Sequence, residues 1–81
     1  MKYEYTPVNV CSRKIFIDIN DDGTLENIEF IGGCNGNLKG IGQLVKGMKA
    51  EDVIERLEGI TCGMKNTSCP AQLAEALKEI L

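Results

Sequence analysis

Histidine and tryptophan are absent from this 81-residue sequence, and it holds only two tyrosines, two phenylalanines and two prolines. Without histidine, Ser/His/Asp and Cys/His nucleophile arrangements are excluded, since both need an imidazole base. The scarcity of aromatics makes any core aliphatic. No run of basic residues occurs, and 12 acidic against 9 basic residues give a net charge of −3. A chain that tracks a phosphate backbone wants a basic stripe, so no direct nucleic-acid binding is expected. The mild acidity reads as ordinary solubility. No hydrophobic run approaches the roughly 20 residues of a membrane helix. The first ten residues, MKYEYTPVNV, lack the apolar stretch of a signal peptide. The expectation is a cytoplasmic protein with no membrane contact.

What the sequence does hold is four cysteines, Cys11, Cys34, Cys62 and Cys69. The length allows one domain, residues 1–81, with thin stability: such a chain buries only a little over 60% of its extended surface. A metal or cross-link would help a domain of this size. In a reducing cytosol, four cysteines point to metal or redox chemistry rather than a permanent disulfide framework. Each lies beside turn or cap residues: Cys11-Ser12, Gly32-Gly33-Cys34-Asn35-Gly36, Thr61-Cys62-Gly63 and Ser68-Cys69-Pro70. A cysteine at a turn is well placed to present its sulfur to a metal, a second sulfur or a ligand.

The pattern along the chain predicts strands first and helices after. Tyr3 and Tyr5 suggest a short first strand, and Pro7 implies that it lies at a sheet edge. From Lys14 to Ile19 the residues alternate, with Ile15, Ile17 and Ile19 on one face and Lys14, Phe16 and Asp18 on the other. Asn20-Asp21-Asp22-Gly23 is a turn signal, and Thr24 to Ile31 returns as a strand with Ile28 and Phe30 on one face. The period then changes. Leu38, Ile41, Leu44, Val45 and Met48 fall at helical spacing. Gly40, Gly42 and Gly47 weaken that helix, by about 1 kcal/mol each, yet permit close packing on a sheet or helix. A second helix covers about Ala50 to Glu58, with Val53, Ile54 and Leu57 as its stripe and Gly59 at C′. Ile60 to Thr67 reads as a loop. A third helix runs from Cys69 or Pro70 to Leu81, burying Leu73, Leu77 and Ile80. Strands followed by helices argue an α+β fold, an antiparallel sheet with helices on one face. The exposed strand Tyr3–Thr6 offers an edge through which a homodimer could pair.

Cys69 stands out chemically. Pro at the first helical position would make Cys69 the N-cap and Gln72 the N3 residue; with Ser68 as cap, Cys69 still lies in the first turn. Either way the unpaired N–H groups of a helix start would stabilise its thiolate. Cys34 sits in a glycine-rich turn, where Gly32, Gly33, Asn35 and Gly36 could form an anion nest for a nucleotide or other small anionic ligand. The segment fits neither a Walker A loop nor G-x-G-x-x-G. No two cysteines form a C-x-x-C knuckle, which excludes the usual two-knuckle zinc ribbon. Three readings stand. Cys11, Cys34, Cys62 and Cys69 assemble one metal site, most simply zinc. Alternatively Cys69 attacks as a thiolate and Cys62 or Cys34 resolves, making a thiol–disulfide carrier. Or the thiols are buried as small hydrophobes. The acidic groups need no catalytic role: Asp21 and Asp22 belong in a turn, and Glu51, Asp52 and Glu55 suit the start of a helix.

Taken in order, Cys11-Ser12-Arg13-Lys14-Ile15, Gly32-Gly33-Cys34, Gly59-Ile60-Thr61-Cys62 and Thr67-Ser68-Cys69-Pro70 resemble the TSCPD domain. That domain lies near the C-terminus of adenosylcobalamin-dependent (class II) ribonucleotide reductases and also occurs in small four-cysteine proteins. The resemblance spans nearly the whole chain, with Ala71 standing where the motif carries Asp. It implies a link to deoxyribonucleotide synthesis, and a ribonucleotide reductase or related nucleotide enzyme as partner. It does not make these residues a ribonucleoside-diphosphate reductase, because 81 residues cannot enclose the nucleotide, the radical-generating cofactor and a buried thiyl cysteine. An accessory domain is the role it implies.

Overall fold

The computed structural model describes residues 1–10, 12–33, 35–61 and 67–81. Cys11, Cys34 and Cys62 lie outside the described residues, as does most of the loop expected between Ile60 and Thr67. Strands β1 (Lys2–Tyr5), β2 (Ser12–Ile19) and β3 (Leu25–Gly32) come first, followed by helices α1 (Asn35–Val45), α2 (Ala50–Leu57) and α3 (Cys69–Ile80). The sheet is antiparallel throughout, in the order β1-β2-β3. This is the expected α+β arrangement, and β1 is an edge strand, as Pro7 implied.

Alternation along β2 produces the core. Ile15, Ile17 and Ile19 are buried, and they meet Leu25 and Ile28 of β3, Val45 of α1, Val53 of α2, and Leu73 and Leu77 of α3. Each such side chain stabilises the fold by about 1.5–3 kcal/mol on burial. The opposite sheet face, with Phe16 and Glu29, stays in solvent.

Two register shifts modify the simple alternation. Ser12 pairs with Gly32 and Lys14 with Ile31, so Arg13 is an extra residue on β2. Strict alternation would put Ser12 on the solvent face with Lys14 and Phe16. The bulge reverses its parity, and Ser12 is buried while Arg13 is exposed. The second shift makes Glu26 extra, since Asp18 pairs with Asn27 and Ile19 with Leu25. It turns Leu25 onto the same face as Ile28, which the pattern read as a strand from Thr24 did not anticipate. Thr24 itself bridges to Lys49. In the β2–β3 turn, the Asp22 carboxylate accepts from the Thr24 N–H and hydroxyl. The Thr24 hydroxyl first, and then its N–H, hold the Asp22 carboxyl below its usual range. Those bonds are the backbone role expected of a turn Asp.

The first helix departs from the expected stripe. Leu38 and Val45 are buried and Ile41 half-buried, but Leu44 is 78% exposed. Leu44 lies about 60° round the helix from Ile41 and 100° from Val45, beyond the strip that touches the sheet. Gly47 ends the helix instead of weakening its interior: its φ is +84°, a left-handed conformation. Met48 then packs on the core from outside the helix, and its carbonyl accepts from the Leu25 N–H at 2.8 Å. Gly59, also left-handed, follows α2 as expected.

Gly42 sets the contact of α1 with β3. A Cβ there would lie 2.9 Å from the carbonyl oxygen of Ile28, which is backbone and cannot swing aside. Gly40 faces open space: a Cβ at that position would meet nothing within 4 Å. Gly42→Ala is therefore expected to destabilise by about 1–3 kcal/mol, overpacking outweighing the helix-propensity gain. Gly40→Ala should stabilise by about 0.5–1 kcal/mol. Urea midpoints check both, and equal shifts of one sign would contradict the packing account.

Candidate functional site

The start of α3 docks where β1 and β2 approach one another. Ser68, not Cys69, is the N-cap; its backbone is extended, with φ −153° and ψ 169°. Its hydroxyl accepts from the Ala71 N–H at 3.2 Å and donates to the Ile60 carbonyl at 2.7 Å. An oxygen is the better acceptor for an orphan N–H, which is why serine takes the cap from the neighbouring thiol. Cys69 and Pro70 then occupy the first helical turn, where the missing N–H of proline carries no penalty. Ala71, at the position of the motif's Asp, is buried and completes this cap through its backbone alone.

Cys69 is only 7% exposed, and its Sγ lies 3.2 Å from Ser12 Oγ. Either atom can donate the hydrogen. This pair crosses 57 residues of sequence and depends on the bulge at Arg13 that turns Ser12 inward. Beside it, the buried Gln72 side chain joins three segments. Its Oε1 accepts from Tyr5 Oη at 3.3 Å and from the Val8 N–H at 3.0 Å, and its Nε2 donates to Thr67 Oγ1 at 3.1 Å.

Of the four cysteines named from the sequence, Cys69 alone is described. The described neighbours of the other three converge on it. Ser12, which follows Cys11, touches its sulfur. Gly32, two residues before Cys34, pairs with Ser12. Ile60, two residues before Cys62, accepts the hydroxyl of Ser68, which precedes Cys69. The candidates for anion binding adjoin the same place. Gly32 and Gly33 both adopt left-handed φ, +85° and +75°, while Asn35 and Gly36 open α1. One end of the molecule thus carries every residue proposed from the sequence that the structure describes. Ser12 and Gln72 join this cluster through a bulge and a non-local amide latch, neither of which leaves a local pattern in the sequence. Among the described residues, no group of three or more His, Cys, Asp or Glu could hold a metal ion.

Loss of the Gln72 latch should be costly, because the Val8 N–H and Tyr5 hydroxyl lose their acceptor. Gln72→Ala is expected to destabilise by about 1–3 kcal/mol and to speed hydrogen exchange at the Val8 amide; an unchanged urea midpoint with unchanged exchange would refute the latch. Tyr5 adds a pH dependence. Its pKa is raised, first by burial and then by the Glu79 and Glu75 carboxylates, so the fold favours the neutral phenol. The resulting stability is fully present below the ordinary tyrosine value of about 10 and is lost as pH rises through the raised folded value. Tyr5→Phe should therefore flatten the alkaline decline of the urea midpoint; identical declines in both proteins would disprove it.

No curated protein and no solved structure matches the chain. Among the described residues, no helix is long and apolar enough to cross a membrane. The TSCPD domain matches residues 1–81, the whole of the chain. That match spans all four cysteine neighbourhoods, and the chain belongs to the TSCPD-domain family.

Proposed function

We propose that the chain is an accessory module of ribonucleotide reduction in which Cys11, Cys34, Cys62 and Cys69 together hold a zinc ion. The observation that carries this reading is the convergence of Ser12, Gly32 and Ile60 on the start of α3. Along the chain each of the other three cysteines lies within two residues of Ser12, Gly32 or Ile60, and consecutive Cα atoms are about 3.8 Å apart. Four thiolates suit a closed tetrahedral structural site, which would supply folding energy to a small aliphatic core. Ser12 would donate to the Cys69 thiolate, the role that outer hydrogen bonds play around metal ligands. Family membership supports the link to class II ribonucleotide reductases, with such an enzyme, or a related nucleotide enzyme, as partner. The burial of Cys69 favours this reading over a thiol–disulfide carrier, whose attacking sulfur needs access to its target.

Native mass spectrometry of the chain purified under reductant tests the proposal. The expected result is one zinc per chain, lost in Cys69→Ser. Ser12→Ala should keep its far-ultraviolet circular dichroism but weaken zinc by about tenfold in competition with a chromophoric chelator. A folded, metal-free chain that takes up no zinc, with all four thiols titratable, would overturn it. So would loss of hydrogens in place of a gained metal, which is the signature of a disulfide.

A further inference from the structure

Strand β1 carries an inference that does not rest on the cysteines. Met1 and Ile19 exchange both backbone hydrogen bonds, at 2.7 and 2.8 Å. Antiparallel ladders alternate, so Tyr3 with Ile17 and Tyr5 with Ile15 are the next hydrogen-bonded pairs. The N–H and C=O groups of Lys2 and Glu4 consequently point away from β2, toward the open edge of the sheet. We propose that this edge joins two copies of the chain, with β1 paired antiparallel to β1 of the second copy about a two-fold axis through Tyr3.

The charges select the register. Only Lys2 and Glu4 present outward backbone groups within β1, so hydrogen-bonded pairs across the axis must match them with each other or with themselves. Pairing Lys2 with Lys2, or Glu4 with Glu4, puts like charges directly opposite, which destabilises a sheet. Pairing Lys2 with Glu4 of the second copy places opposite charges together twice, by symmetry, and engages all four outward groups of each strand. Tyr3 then faces Tyr3 across the axis. On that face lies a cavity of about 270 Å³, lined by Tyr3, Glu4, Tyr5, Ala76, Glu79 and Ile80, which the two rings can fill. The same pairing covers an edge that is otherwise open to uncontrolled association. The result is a six-stranded sheet in the order β3-β2-β1-β1-β2-β3, of the self-complementary kind that a two-fold requires.

Sedimentation equilibrium of the whole chain under reductant, which removes any disulfide-linked species, tests this. Wild type should show a concentration-dependent monomer–dimer equilibrium. Lys2→Glu should weaken it by about tenfold, since both symmetric pairs become repulsive, and Lys2→Glu/Glu4→Lys should restore it. Glu4→Pro removes an N–H that β2 does not use, so the fold should persist by circular dichroism while the dimer is lost. A wild type monomeric at every accessible concentration, a dimer that survives in folded Glu4→Pro, or a double variant no better than Lys2→Glu would each overturn the proposal.

Discussion

The docking of the start of α3 onto the first two strands is the constraint on which the rest of the structure depends. Three hydrogen bonds make it: Tyr5 and Val8 to Gln72, and Ser12 with Cys69, across 67, 64 and 57 residues. They close nearly the whole chain into one loop. Loop closure of this length is entropically unfavourable, but the cost grows only slowly with length. The buried leucines of α3, Leu73 and Leu77, offset it by joining the same core as Ile15 and Ile17. Polar contacts then decide the rotation and depth of the helix, which apolar contact alone specifies loosely.

The bulge at Arg13 gives that docking its buried hydroxyl–thiol contact. A regular β2 would present an apolar stripe along its entire inner face. By adding one residue, the strand ends its stripe at Ile15 and brings a hydroxyl, Ser12, into the interior opposite a thiol. Gly32 sits opposite Ser12 with a left-handed φ of +85°. The helix cap works in the same direction. Because Ser68 takes the Ala71 N–H and also holds Ile60, the segments before and after residues 62–66 meet at the same end of the sheet. Ser12, Gly32, Ile60 and the cap of α3 therefore share one end of the sheet.

Much of the architecture was legible in local pattern. The isoleucines of β2, the Asn-Asp-Asp-Gly turn, the glycine after α2 and the serine-cysteine-proline start of α3 each speak through a short-range rule of sterics or capping. Leu44 and Met48 show where such rules stop. Both match a helical period, but the helix is tangent to the sheet along a narrow strip and ends at Gly47. Gly42 shows the reverse: a residue unfavourable to a helix by propensity is required by the backbone carbonyl of Ile28, on a different element, against which it packs.

The sequence by itself determined the class of the fold, the edge position of β1, the family, and the four sulfurs available for chemistry, because periodicity, proline and cysteine neighbourhoods act over a few residues. Only the tertiary structure decided that Ser12 faces inward and that Gln72 ties the helix to β1. Those outcomes turn on the parity of a bulged ladder and on hydrogen bonds between segments far apart in the chain, and neither leaves a trace in residue order.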